Sequence, residues 1–458
     1  MPRDNSADET GPIRRVPATA SPASPREGRE RRPAVRQRAP ARKPSPATDH
    51  GHGHGHGPAA PASRRIRILL TALLAPLALA AVAGVALLYP WGSEPPVSET
   101  GAGTPVHGEI TTAALGPCLA PGQVQVGEAP ADARQCLDLE VSLTDGEAAG
   151  RTIRKMVAVE PSTPRFAAGD EIVLSYSGAG AANPDSYQVV DFQRGMPLTV
   201  LAALFAVAVV VLGRWQGLAA LTALGLSFAV IALFILPAVL AGEDPLLVAI
   251  AGAGLIMFVA LYLTHGFSAR TSVAVLGTLV SLALIGVISA VFSATAALTG
   301  LGDQTSSLIA SLGHGIDARG LLLAGVVIGA LGVLDDVTVT QTSAVWELRR
   351  ANPALSWREL YSAALRIGRD HVGSAVNTLV MAYAGAALPV LLIGALSDVG
   401  VGSILTSEDI AQEIVRTLAG SIGIIAAVPV TTVLAALIAG RERVPAGTGD
   451  HSSHSGNP

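Results

Sequence analysis

Residues 320–345 read GLLLAGVVIGALGVLDDVTVTQTSAV, an apolar stretch of helix length that is interrupted by two adjacent acids, Asp335 and Asp336. An ionisable group inside a membrane span costs about 3 kcal/mol on insertion scales, so such residues usually face protein or water. The stretch therefore predicts a polytopic membrane protein with a polar centre. It does not say what passes through that centre or reacts there.

The composition supports a membrane protein and excludes an ordinary soluble one. Half of the residues are hydrophobic, 14 % are charged and the mean hydropathy is +0.48. A helix of about 20 apolar residues crosses the roughly 30 Å of hydrocarbon in a bilayer. Eight runs reach or approach this length, and they cover residues 66–89, 197–213, 217–241, 245–264, 271–298, 320–342, 372–396 and 418–439.

Charge is distributed unevenly around the first run. Residues 1–65 hold thirteen Lys and Arg against six acids, whereas residues 90–196 hold six against fourteen. Basic segments stay on the cytoplasmic side of a membrane. We therefore expect a bacterial cytoplasmic membrane protein with a cytoplasmic N-terminus and an extracytoplasmic segment at 90–196. The run 66–89 lies too far from Met1 for a cleaved signal peptide and is predicted to be a retained anchor. Eight spans return the C-terminus to the cytoplasm.

The two ends of the chain, residues 1–62 and 441–458, are polar and are predicted to be disordered cytoplasmic tails. The first tail contains four histidines that alternate with glycine. Such a tract either binds a divalent transition metal loosely or is incidental. The sequence predicts no other cofactor, and it predicts no nucleic-acid partner because no aromatic residues accompany the arginines. The histidines are His50, His52, His54 and His56.

The extracytoplasmic segment 90–196 has short alternating runs that are typical of β-strands. About five strands in this length predict a small all-β domain of the OB or SH3 kind between spans one and two. Its role is either to present a platform to an extracytoplasmic protein partner or to be purely structural. The runs cover residues 123–126, 137–141, 153–159, 171–176 and 187–192.

The chain has two cysteines, Cys118 and Cys136, and both lie in the segment placed outside the cytoplasm. A disulfide persists in that compartment, and one closing this loop would contribute about 3 kcal/mol in the chain-entropy model. Two free buried thiols are the alternative.

One face of the predicted sixth span combines glycines with an acid. If the span is a helix with 100° per residue, the seven residues of this face lie within about 80° of one another around the helix axis. Glycines at this spacing let a neighbouring helix approach closely, so Asp336 should face the bundle. Asp335 is rotated away by about 100°. We call the first set the glycine face, and it comprises Gly325, Gly329, Gly332, Asp336, Thr340, Ser343 and Glu347.

The predicted seventh span carries a polar face at helical spacing, comprising Arg366, Asp370, Gly373 and Asn377. We expect this face to meet the glycine face in a polar pocket between spans six and seven. A carboxylate there would carry a proton or bind a cation. Alternatively, Asp336 serves packing alone, by a hydrogen bond to Asn377 or an ion pair with an arginine.

The motifs of membrane enzymes are missing from the sequence. The acidic pair lacks the third acid of a prenyl-transfer motif, no second carboxylate suits an aspartyl protease, and neither HExxH nor a P-loop occurs. We therefore do not expect an enzyme. Transport would be ion-driven, passive or powered by a partner.

Three stretches resemble the YibE/F-like bacterial membrane proteins. They are GVVIGALGVLDDVTVTQTSAVWEL at 325–348, the segment 352–392 that includes the Ile-Gly-Arg-Asp motif, and the segment 191–221. The resemblance covers about 105–440 and implies a multi-span protein of unknown activity, a family in which some members are labelled permeases. Asp336 matches the acid that usually precedes valine in the family, whereas Asp335 departs from the pattern.

Two functions remain open at this point. The first is a permease whose route passes Asp336 and Asn377, and the second is a non-transporting scaffold or assembly factor that presents the β domain to partners. The expected partner is the lipid bilayer. The sequence is also compatible with a homo-oligomer, but it does not determine the oligomeric state.

Overall fold

The structure is a computed structural model that describes residues 63–92, 103–118, 135–302, 305–307, 309, 316–396 and 400–441. The first predicted tail with the histidine tract, the second tail after residue 441, and the run 123–126 lie outside these ranges. The helices are α1 Arg64–Leu88, α2 Gly195–Val230, a π-helical turn Ile231–Ile235, α3 Leu236–Leu240, α4 Pro245–His265, α5 Ala269–Thr295, α6 Ala318–Ala351, α7 Trp357–Ala386, α8 Leu388–Leu396, α9 Val401–Leu405 and α10 Glu408–Ala439.

Six of the described helices are long and apolar enough to cross a membrane if Gly195–Leu240 is counted as one, and the bent pair α7–α8 raises the number to seven. Their lengths and hydropathies indicate a multi-pass membrane protein.

The chain reverses its direction within the stretch Gly195–Leu240. Arg214 has φ 51° and ψ −126°, values that do not occur inside an α-helix. A Cβ atom on Gly217 would lie 2.3 Å from the carbonyl oxygen of Val209, although eight residues of straight helix span about 12 Å. The chain therefore folds back at Arg214, between the second and third predicted spans, and only glycine fits at position 217.

α7 begins at a capping box and ends at a bend. The Ser356 backbone N–H donates to Glu359 Oε2 at 2.8 Å, and Ser356 Oγ accepts from the Glu359 N–H. α8 follows at an angle of 54°. Pro389, one residue into α8, has no N–H to donate to the preceding turn, which accounts for the break.

The centre of the bundle is formed by α5, α6 and α10. Thr278 of α5 and Thr338 of α6 share a 2.8 Å hydrogen bond between their hydroxyl oxygens. Gly277 lies directly against Thr431 of α10, where a Cβ atom would be 2.3 Å from the threonine hydroxyl oxygen. Small residues thus allow three helices to pack at short distance in a bundle where lipid gives little hydrophobic drive.

α1 packs on α4 in the same manner. A Cβ atom on Gly84 would be 3.0 Å from the Ala251 side chain, and one on Gly254 would be 3.1 Å from that of Ala81.

Between α1 and α2 the chain forms a small curled sheet of five antiparallel strands in the order β3-β2-β1-β4-β5. The side chains of Ile110, Leu139 and Ile172 are fully buried at its centre. The strands are β1 Thr104–Pro117, β2 Gln135–Leu143, β3 Thr152–Ala158, β4 Glu171–Tyr176 and β5 Tyr187–Phe192.

The sequence predicted β2 to β5 and missed β1. β1 contains Gly108, where its pairing passes from β4 to β2. A Cβ atom there would be 2.6 Å from the Val141 side chain, so glycine is needed at this crossing. Because glycine and Pro105 interrupt the alternating pattern, β1 does not look like a strand.

Two tertiary links fasten the sheet. Cys118 and Cys136 form a disulfide. The Asp145 carboxylate accepts hydrogen bonds from His107, at 2.5 Å from Nδ1 and 2.6 Å from the backbone N–H. These hydrogen bonds lower the pKa of Asp145 from its ordinary value.

Candidate functional site

The glycine face of α6 has a different neighbour at each turn. A Cβ atom on Gly325 would lie 3.8 Å from Arg416 Nη2, and one on Gly329 would lie 2.7 Å from the hydroxyl oxygen of Tyr383. At Gly332 no atom would lie within 4 Å. The Tyr383 hydroxyl group therefore lies close to the otherwise exposed glycine face at Gly329, and open space follows at Gly332, one turn before Asp336.

This open space is a cavity of about 460 Å³ between α6 and α7, with Val428 of α10 contributing to its wall. Asp336 is the one acid among the residues that line it. The polar lining is completed by hydroxyl, amide and imidazole groups on the two helices. These polar residues are Thr340, Gln341, His371, Ser374 and Thr378.

Gln341 is held in place at the edge of the cavity. Its side chain lies against Gly368 of α7, where a Cβ atom would be 2.6 Å from Nε2 and 2.8 Å from Oε1. Gln341 Oε1 also accepts a 2.9 Å hydrogen bond from the Thr432 hydroxyl group of α10. The amide orientation is thus fixed by a second helix, as expected for a buried polar group.

Near Gly325, beyond the end of the cavity at Gly332, lies an ion pair within α10. Arg416 Nη1 donates to Glu413 Oε1 at 2.5 Å, and the two side chains are 25 % and 28 % exposed. Arg416 Nε and Glu413 Oε2 are buried without a hydrogen-bond partner in the described part of the chain. The pair balances its own charge and leaves one donor and one acceptor unsatisfied beside the glycine face.

The structure brings only some of the predicted site residues together. Asp336 and Thr340 line the cavity. Arg366, Asp370 and Asn377 do not line it. They lie on a different side of α7 from the cavity-lining His371 and Thr378, which follow Asp370 and Asn377 by 100° of helix rotation.

Asp335 is partly buried on the neighbouring side of α6. Its Oδ1 atom is buried and has no hydrogen-bond partner among the described residues. Thr338, one turn further along, donates from its hydroxyl group to the Asp335 backbone carbonyl at 3.2 Å. Asp335 does not line the cavity.

Sequence reasoning missed Tyr383, Glu413 and Arg416 beside the glycine face. The charged pair was missed because the predicted last span began at 418, whereas α10 begins at Glu408. No three His, Cys, Asp or Glu side chains lie close enough to hold a metal ion within the described residues.

A bundle of long apolar helices around a polar cavity is typical of a multi-pass membrane protein. A model of the YibE/F-like protein family matches residues 201–441, which is more than half of the chain, so the chain belongs to this family. The match includes α6, α7 and α10 with the whole cavity, and it excludes the β domain. No curated protein and no solved structure matches the chain.

Proposed function

We propose that this protein is a permease of the bacterial cytoplasmic membrane that moves a small cation or proton along the glycine face of α6. The observation that carries the proposal is the cavity of about 460 Å³ beside Asp336. A carboxylate inside a span is costly and usually marks an ion or proton pathway. In this protein the carboxylate borders a space large enough for water and a hydrated ion.

The route continues outward along the same helix face. Gly329 contacts the hydroxyl group of Tyr383, and Gly325 lies beside Arg416. Because Glu413 neutralises Arg416 at 2.5 Å, the outer end does not present an unbalanced positive charge that would repel a cation. The proposed route thus passes the Glu413–Arg416 ion pair, Tyr383 and the glycines of α6 before it reaches Asp336.

The proposed topology has eight spans with both termini in the cytoplasm. The bent pair α7–α8 brings the number of candidate spans to seven. The reversal at Arg214 divides Gly195–Leu240 into two helices, which brings it to eight. The excess of acids in 90–196 and of bases in 1–65 supports an extracytoplasmic β domain.

The strand order supports an OB-like assignment of this domain. The order β3-β2-β1-β4-β5 is that of a five-stranded OB barrel opened between β3 and β5. β1 is shared by both halves of the sheet, since it pairs with β4 through its first residues and with β2 through its last.

Reconstitution into liposomes tests the proposed function. Flux would be measured for protons, Na⁺, K⁺ and divalent transition metals, each driven by an imposed gradient. We expect Asp336→Asn to lower the flux about ten-fold or more, as the loss of about 1.4 kcal/mol of stabilisation would, and Asp336→Glu to keep part of it. Size-exclusion profiles of all variants would establish that the fold is retained.

Two results contradict the proposal. If wild-type protein moves none of these ions, the scaffold function is favoured. If Asp336→Asn transports as fast as wild type, the route does not pass this carboxylate.

A further inference from the structure

The turn between α4 and α5 lies at a surface of the membrane. α4 ends at His265, α5 begins at Ala269, and both helices are long and apolar enough to span a bilayer. The three residues between them extend over at most roughly 10 Å, and a turn that leaves the bilayer and returns reaches only about half as far. The turn therefore stays within the headgroup region, which is about 5–8 Å deep on each side of the hydrocarbon.

Arg270, the second residue of α5, has no partner for its charge. Its side chain is partly buried, and it forms no ion pair or hydrogen bond with any residue that the structure describes. Its own helix cannot supply one, because positions three and four residues further along are Val273 and Ala274. An anion for Arg270 has to come from outside this helix.

The neighbouring charges on α6 leave an excess of positive charge. Arg270 lies close enough to Arg350 for the two charges to repel each other, and close enough to Glu347 to be attracted by it. Glu347 Oε1 already accepts a 3.1 Å hydrogen bond from Arg350 Nη1. Two bases therefore share one acid, and one positive charge is not balanced.

The first turn of α1 adds further bases at the same level. Ala269 of α5 packs in one apolar cluster with Ile66 of α1. Arg65 and Arg67 stand on either side of Ile66 in the sequence, and both are exposed. The positive charge around Arg270 is thus reinforced by a second helix.

A stack of three aromatic rings adjoins these charges. The ring centroids of Phe258 and Tyr262 are 6.4 Å apart, those of Tyr262 and Phe267 are 4.7 Å apart, and each pair of planes is within 13° of parallel. The Tyr262 hydroxyl oxygen lies 3.0 Å from Ser272 Oγ, which holds the stack against α5 beside Arg270. Phe267 is 91 % exposed. Exposed aromatic rings at this level of a membrane protein lie at the boundary between headgroups and acyl chains.

We propose that the α4–α5 turn binds an anionic phospholipid, with the phosphate at Arg270 and Arg350 and an acyl chain along the ring stack. Guanidinium groups bind phosphate oxygens through charge-assisted, often bidentate, hydrogen bonds, and basic pockets between membrane spans bind anionic lipid headgroups. The phosphate balances the excess charge, and the acyl chain covers Phe267. A soluble anion would do only the first of these. The proposal does not depend on transport.

Native mass spectrometry of the full chain in neutral detergent tests the site by counting bound phosphatidylglycerol and phosphatidylcholine. Wild type should bind phosphatidylglycerol about five-fold or more tightly than phosphatidylcholine, and Arg270→Gln should lose most of this preference. The matched control is Arg366→Gln, which removes the same charge from an exposed position of α7 and should keep the preference. Equal losses in the two variants would show attraction by overall charge alone and overturn the proposal, as would the absence of any preference in wild type.

Two further measurements address the acyl chain and the fold. Phe267→Ser should weaken phosphatidylglycerol binding about five-fold, whereas Leu212→Ser, at a residue that is 90 % exposed, should not. Inorganic phosphate at the concentration of the lipid should not displace it. Displacement by phosphate, or wild-type affinity in Phe267→Ser, would assign the site to a soluble anion and overturn the proposal. Thermal unfolding without added lipid would establish that each variant is folded. If Arg270→Gln does not fold, Arg270→Lys keeps the charge but lacks the planar fork, and wild-type affinity in that variant overturns the proposal too.

Discussion

The hydroxyl group of Tyr383 lies directly against Gly329, so closely that a methyl group on residue 329 would come within 2.7 Å of its oxygen. Gly329 is one turn outward from Gly332, where the cavity begins. Tyr383 is also the residue whose carbonyl accepts the last hydrogen bond before the bend, from the Ala387 N–H at 2.9 Å. This contact lies one turn from the cavity, beside the bend between α7 and α8, and we expect it to close that end of the cavity.

Replacement of Gly329 by alanine should loosen this closure. The added methyl group displaces Tyr383, whose flexible ring is the part that can move. With cysteine at Thr378 as a reporter inside the cavity, labelling by a membrane-impermeant reagent from outside should accelerate about ten-fold, the effect of about 1.4 kcal/mol. Gly385→Ala is the control, since no atom would lie within 4 Å of its Cβ. Labelling that is equally slow in both variants would show that Tyr383 does not close the cavity.

Replacement of Gly277 by alanine should destabilise the α5–α10 contact. The new methyl group would be 2.3 Å from the Thr431 hydroxyl oxygen, and overpacking of this kind typically costs about 1–3 kcal/mol. Thermal unfolding in detergent would measure the loss. Gly286→Ala, which meets open space, should be neutral or slightly stabilising. Adding Thr431→Ala to Gly277→Ala should recover part of the stability, and a lack of recovery would argue against the packing described.

The Asp145–His107 link predicts a specific pH dependence for the β domain. The hydrogen bonds from His107 lower the pKa of Asp145 in the folded state. Its contribution to stability is therefore full above the unfolded pKa of about 3.9 and is lost as the pH falls through the folded pKa. Because both side chains are substantially exposed, the contribution should be below about 1 kcal/mol. Protease resistance of the domain should be higher in wild type than in Asp145→Asn at pH 6, and the difference should shrink as the pH falls below the unfolded pKa. A difference that grows in acid would contradict this assignment.

The eight-span topology predicts which turns are reachable from outside the cell. Glu243 lies in the turn before α4, and Ala354 lies in the turn between α6 and α7. On intact cells an impermeant thiol reagent should label Glu243→Cys and spare Ala354→Cys, and both should react after the cells are opened. Labelling of Ala354→Cys on intact cells would reverse the orientation.

The parts of this molecule that sequence predicts well are those set by periodicity. The alternating runs predicted β2 to β5, and the 3.6-residue period placed Asp336 on the glycine face that borders the cavity. β1 was missed because Gly108 breaks its pattern at the point where two partner strands meet. Glu413 and Arg416 were missed because charged residues lower the local hydropathy and hide the first turns of a long helix.

The orientation of α7 could not be predicted because the helix carries polar residues on two faces. Asp370 and Asn377 form one, and His371 and Thr378 form the other, about 100° away. Sequence spacing alone does not choose between them. The packing of α7 determines its orientation. The Gln341 side chain lies against Gly368, and Leu379 is buried in the core, so the second face points toward the cavity.

The most direct test of the central claim compares the carboxylate that lines the cavity, Asp336 of α6, with one that does not, Asp370 of α7. The initial rate of ion flux would be measured in liposomes for Asp336→Asn and Asp370→Asn at the same protein density. A route past the cavity predicts that Asp336→Asn loses about nine-tenths or more of the flux per protein molecule, the effect of about 1.4 kcal/mol, while Asp370→Asn retains it. Equal rates in the two variants would contradict the account.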